Sequence, residues 1–265
     1  MPSQDTAPIS LAQLREIAIH AGGIMKTYFS HFGMERITKT DTTPLTLADT
    51  QINRMVIDRI REASNEVDIV GEEESDRRNS PWQVMCDPVD GTFPYTWGMP
   101  VSTFMIGLMY ERKPVMGVIY DPFTERMYYA ERGKGAWMNE LPLKVSSARE
   151  RSDRPIVGYV SWPTCPYNVL KVCQYLEERG VTLVNFCSIG YIEAAVATGE
   201  FAGTIFPGTS HHDTAPGHII VSEAGGRVTD IFGGELHYTD NKVAGHLMSN
   251  GHIHDLLVEA VKACN

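Results

Sequence analysis

Val84-Met85-Cys86-Asp87-Pro88-Val89-Asp90-Gly91-Thr92 is the stretch on which the reading of this chain turns. A short apolar run ends in two carboxylates three residues apart, with a proline between them and a glycine after, the composition of a strand that runs into a turn. In such a turn both side chains and the intervening carbonyl can face one spot. Carboxylate and carbonyl oxygens are the ligands that hard divalent ions such as Mg²⁺ take. The Gly91-Thr92 step leaves backbone N–H groups to face an anion. The same residue types also build ordinary surface turns, and Asp-x-x-Asp-Gly taken alone is more often a turn than a metal site.

Working outward, Gly71-Glu72-Glu73-Glu74 and Thr46-Leu47-Ala48-Asp49 lie upstream, and His212-Asp213-Thr214-Ala215-Pro216-Gly217 and Glu223-Ala224-Gly225-Gly226 lie downstream. In order and spacing these segments resemble the inositol monophosphatase family of metal-dependent, lithium-sensitive phosphatases, over essentially the whole chain. The resemblance implies an α+β fold, the layered αβαβα sandwich of the sugar phosphatases. It implies two halves, 1–145 holding most metal ligands and 146–265 completing one catalytic unit. It also implies Mg²⁺, two or three ions per site. Carried over residue by residue, Glu72, Asp87 and the Val89 carbonyl hold the first ion, and Asp87, Asp90 and Asp213 the second. Asp49 and Thr92 pair to orient or deprotonate the attacking water with Glu72 close by, and the Gly91 and Thr92 N–H groups hold phosphate oxygens. The implied reaction is hydrolysis of a small phosphate ester by a cytoplasmic homodimer.

Each of these residues has a plainer reading. Asp49 falls in the first turn of a helix capped by Thr46, where a negative charge suits the dipole. Asp213 could be the N-cap of its helix, Glu72-Glu73-Glu74 a solvated charge run, and Thr92 a turn hydroxyl. His211 and His212 invite a zinc reading, but adjacent histidines diverge and no third ligand stands at useful spacing. The chain also departs from the family pattern. His212 replaces a tryptophan, and Cys187-Ser188-Ile189 replaces a Gly-Ser-Ala step. Phe206 stands where inositol-specific members carry an acid for substrate hydroxyls. Ser188, Ile189, Phe206 and His212 are therefore expected on the leaving-group side, with inositol itself disfavoured.

Composition bounds the alternatives. The chain has 265 residues, 43% hydrophobic, a size that buries a full core. A formal charge of -10 argues against a nucleic-acid polyanion as partner. Five cysteines lack metal-ligand spacing and read as reduced thiols. There is no signal-peptide pattern and no uncharged stretch of membrane-spanning length. Periodicity predicts helices over 10–32, 46–62, 167–178, 190–198, 213–224 and 253–263, with short strands between, mainly antiparallel. Within the phosphatases the alternatives are a bisphosphate nucleotidase, a histidinol phosphatase or a fructose-bisphosphatase-like enzyme. Outside enzymes, the alternative is a non-catalytic phosphate-binding relative.

Overall fold

Apolar residues recurring at three and four oblige a helix to bury one face. In α1 (Leu11–Tyr28) that face is Leu14, Ile17, Ala18, Ala21 and Met25. Ser10 caps it: Oγ accepts the Gln13 N–H at 3.3 Å, and the Gln13 side chain accepts the Ser10 N–H at 2.9 Å, a reciprocal capping box. The computed structural model describes residues 7–30, 37–38, 44–147, 154–239 and 243–265. Phe32 of the expected first helix lies outside them. β1 (Ile37–Thr38) and β2 (Pro44–Leu45) form a two-stranded ribbon. The next helix, α2 (Leu47–Ala63), starts on Thr46 as expected.

β3 (Asp68–Gly71), β4 (Ser75–Asp76) and β5 (Trp82–Asp90) follow, then the short α3 (Thr92–Thr96). After it come β6 (Thr103–Tyr110), β7 (Lys113–Asp121), β8 (Arg126–Glu131), β9 (Ala136–Met138) and β10 (Leu141–Pro142). These strands make an eight-stranded sheet ordered β10-β9-β8-β7-β6-β5-β3-β4. Its pairings are antiparallel except β3 with β5. β6 and β7 are buried at nearly every position, so they read as continuous apolar runs without alternation.

The second sheet comes from β11 (Ile156–Tyr159), β12 (Thr182–Val184), β13 (Gly203–Phe206), β14 (Arg227–Asp230) and β15 (His246–Ser249), in the order β12-β11-β13-β15-β14. Between them run α4 (Val169–Glu177), α5 (Ile189–Ala197) and α6 (Ala215–Glu223), and α7 (His254–Cys264) closes the chain. β12, β11 and β13 are mutually parallel. Three buried clusters give the layers. One joins α1 and α2 to the large sheet, through Leu14, Ile52, Ile106 and Val118. A second joins its other face to α5 and α6, through Met105, Ile119, Ile192 and Ile220. A third joins the small sheet to α4 and α7, through Val157, Leu176, Ile205 and Leu257. The order is αβαβα, as the resemblance implies.

Two local readings change. β14 and β15 are strands that the sequence does not announce, because four residues with polar ends carry no period. The helix expected from Asp213 begins at Ala215 instead. The Thr214 and Ala215 N–H groups both bond His211 O, at 3.1 and 2.8 Å, closing a turn that leaves Asp213 outside the helix and not its N-cap.

Candidate active site

The site starts from a proline in an interior strand. Pro88 cannot donate to a sheet ladder, and the β5 pairing breaks around it. Asp87 opposes Met105 and Asp90 opposes Thr103, so three steps on β5 face two on β6. That bulge bends the strand end. The Val89 N–H donates to Asp87 Oδ1 at 3.0 Å, and Thr92 Oγ1 donates to the Val89 carbonyl at 2.9 Å. Gly91 then takes a φ of 78°, with a side-chain carbon of Ser188 2.7 Å from where its Cβ would be. Only glycine meets both demands.

Glu72 reaches the same place by register. β3 runs parallel to β5 as far as Gly71 opposite Cys86, and the Glu72 N–H continues to Cys86 O at 3.0 Å, beside Asp87. Asp49 and Asn53 lie one turn apart on one face of α2. Asn53 Nδ2 donates to Glu74 O at 3.2 Å and clamps the acidic loop to that face. The result is that Asp49, Glu72 and Glu73 each place an oxygen within 4.8 Å of the others. Asp49 Oδ2 accepts the Thr46 N–H at 2.8 Å and its hydroxyl at 2.6 Å. Oδ1 is buried without a hydrogen bond among the described residues.

The second half supplies Asp213 and an anchor for Asp90. The Ile189 and Gly190 N–H groups, at the start of α5, donate to Asp90 at 2.8 and 3.0 Å. The Thr103 hydroxyl donates at 2.8 Å, and the Ser188 hydroxyl donates as well. A carboxylate at a helix N-terminus is favoured by the dipole, so this contact ties the two sheets together. Among the described residues Asp90 Oδ1 takes only the Ile189 bond, which leaves it a lone pair. Asp213 hydrogen-bonds Asp87, and His212 Nε2 lies 3.6 Å from Asp213 Oδ1.

Charge is the site's unresolved demand. Burial, then the Glu72, Asp213, Asp90 and Asp49 carboxylates, hold the Asp87 proton well above the usual range. Burial pushes Asp49 up to about 7 against the Thr46 hydrogen bonds, and it raises Asp90 and Asp213 as well. Converging carboxylates that raise one another, together with an open Asp49 oxygen, are a donor set that divalent cations fit.

Several expected roles move. Ser188 and Ile189, expected on the leaving-group side, are 1% and 3% exposed and hold Asp90. Phe206 is 5% exposed and packed against Trp162 and His246, so it offers no open face. The Thr92 hydroxyl meets Val89 O rather than Asp49, because the tight turn after the bulge puts that carbonyl nearest. His211 stacks edge-on to Tyr238, 5.1 Å between centroids, while His212 faces Asp213. The pair diverges as expected. Glu73, whose plainer reading is a solvated charge run, joins Asp49 and Glu72.

The sequence reading missed Glu193 and His246, both fully buried, with Oε1 and Nε2 2.8 Å apart. Burial holds Glu193 well above the usual carboxyl range and His246 down to about 3. The signal was an acid inside the apolar run Ile192-Glu193-Ala194-Ala195-Val196. Gly217 makes room for it: a Cβ there would overlap the Glu193 carboxyl. Gly217→Ala is expected to cost on the order of 1–3 kcal/mol by overpacking, read as a lower Tm. Glu193→Ala in the same chain should recover part of that loss; strictly additive effects would contradict the contact.

The model of the inositol monophosphatase family matches residues 9–265. The 3'(2'),5'-bisphosphate nucleotidase CysQ of Salmonella typhimurium is 31% identical over 238 residues, 86% of this chain and 94% of its own. The inositol-1-monophosphatase of Synechocystis is 30% identical over 226 residues, 83% of this chain and 77% of its own. Among solved structures, the IMPase of Thermotoga maritima superposes with a TM-score of 0.86 at 25% identity, covering 96% of this chain and 97% of that one.

Proposed function

The chain belongs to the inositol monophosphatase family of phosphatases, and from that premise we infer that it hydrolyses a small phosphate monoester with Mg²⁺ at the carboxylate cluster. The observation that carries the reading is the convergence of Asp49, Glu72, Asp87 and Asp213, from four separate segments, on one spot. Glu72, Asp87, the Val89 carbonyl, Asp90 and Asp213 are the ligands for two or three ions. Bound ions of this kind lower the pKa of a coordinated water and neutralise phosphoryl charge.

The chain's own residues do the rest. Thr46 fixes Asp49 through Oδ2 and leaves Oδ1 to take a proton from water. The Thr92 N–H is the first of its helix and has no intrahelical acceptor, which supports its assignment, with Gly91, to the phosphate oxygens. The Thr92 hydroxyl would have to leave Val89 O to help orient water. α5 keeps Asp90 in place, and the His212 ring lies beside Asp213.

A second reading, a 3'(2'),5'-bisphosphate nucleotidase, is favoured by the absence of an acid at Phe206 and by the likeness to CysQ. No described helix is long and apolar enough to cross a membrane. The reading includes a cytoplasmic homodimer, which sedimentation would check for assembly. Phosphate release is to be measured across inositol 1-phosphate, sugar phosphates, histidinol phosphate and adenosine 3',5'-bisphosphate. Release from at least one ester in Mg²⁺, slowed by Li⁺, is expected. Release from none would overturn the reading.

A further inference from the structure

Three parallel strands of the small sheet, β12, β11 and β13, end on one side, and ligand sites of such sheets gather outside the carboxyl ends of the strands. Two of the three loops there already serve the site. The loop after β12 leads to Ser188, which anchors Asp90, and the loop after β13 leads to Asp213. The third, after β11, carries Trp162. Its start is pinned beside Phe206 by the Val160 N–H bonding Ile205 O, 3.4 Å. A turn closed by the Cys165 N–H on Trp162 O, 3.0 Å, holds the backbone, with Pro163 at the position that favours it.

Two aromatic rings meet here and play different parts. Phe206 is enclosed: Trp162 lies on it at 6.3 Å, His246 at 5.1 Å, and Gly208 abuts the ring with no room for a Cβ. Trp162 is 38% exposed. Phe206 is therefore the support, and the indole is the apolar surface left open at the carboxyl ends of these strands, in the loop between those that lead to Ser188 and Asp213. A flat π-face binds another flat ring well and offers a hydroxylated cyclitol no acceptor.

We propose that Trp162 determines specificity in this enzyme: its indole receives the leaving group, and the preferred phosphate esters carry a flat heteroaromatic ring. The inference rests on the phosphatase reading above. In the reaction the P–O bond to the leaving alcohol breaks, a P–O bond to water forms, and the alcohol takes up the proton.

The test compares kcat/KM for adenosine 3',5'-bisphosphate with that for glycerol 2-phosphate, in the native protein, Trp162→Ala and Trp162→Phe. The ratio is expected to favour the nucleotide in the native protein. It should fall roughly 5- to 150-fold in Trp162→Ala, mainly through KM, as loss of one base–aromatic stack predicts, and return largely in Trp162→Phe. An unchanged ratio in Trp162→Ala, or equal losses on both esters, overturns the inference while leaving the phosphatase reading standing. No release from any ester in the native protein overturns both.

Discussion

Asp213→Asn is expected to lower kcat by roughly 10²–10⁴-fold without lowering the Tm of the metal-free protein. The activity loss follows from charge. A metal-bound carboxylate works through its negative charge, which the amide lacks, and losing one group that stabilises developing charge already costs about 10²–10³. The stability outcome has the opposite cause. Asp213 is raised by burial and by the Glu72 and Asp90 carboxylates, so removing its charge relieves repulsion among acids. Asp213 is also outside α6 and is not its cap, so no helix is lost. Steady-state kinetics against Mg²⁺ concentration and a metal-free melt measure the two effects. Full turnover under limiting Mg²⁺ would remove Asp213 from the ion site.

The second large effect is a pH-dependent stability that Mg²⁺ reverses. Asp49, raised to about 7, and Asp87 and Glu193, raised well above the usual carboxyl range by burial, keep protons in the folded state that the unfolded chain releases near pH 4. The stability they contribute is present at low pH and is lost as pH rises through the folded values. Three histidines act oppositely. His246 at about 3, and His218 and His254 at about 4, resist protonation that the unfolded chain accepts near 6.5, so stability falls as pH drops below 6.5. Above pH 6.5 the unfolded histidines shed their remaining protons, their opposing contribution fades, and the carboxyls set the slope. The metal-free Tm is therefore expected to fall between pH 6.5 and 8, by roughly 3–10 °C at a few °C per kcal/mol. Cations bind the deprotonated carboxylates more tightly as pH rises, so millimolar Mg²⁺ should narrow or invert the difference. Melts in chelator and in Mg²⁺ measure it. A metal-free Tm that climbs across this window would contradict the account.

What the sequence made legible was whatever is encoded locally. Ser10 with Gln13, and Thr46 with Asp49, announce their helices because capping involves residues three apart. Asp87 to Thr92 announces a strand end and a turn because Pro88 and Gly91 have few other uses there. Long-range consequences were not legible. Ser188 and Ile189 sit close to the leaving-group side in the pattern, yet hydrogen bonds spanning 98 and 99 residues commit them to Asp90. Glu193 looks like a stray acid until His246 and Gly217 are brought to it from two other segments. Phe206 and Trp162 show the same limit. Period and composition say that both are aromatic, and only packing says which of them is open.

The most direct measurement is inorganic phosphate release by protein stripped of metal and then titrated with Mg²⁺, run beside Asp87→Asn. Asp87 stands at the centre of the carboxylate cluster, close to Glu72, Asp213, Asp90 and Asp49. The expected result is no release without metal, saturable release on adding Mg²⁺, and none restored in Asp87→Asn at any Mg²⁺ concentration. Equal release in chelator and in Mg²⁺, or full activity in Asp87→Asn, would contradict a metal-dependent reaction at this cluster.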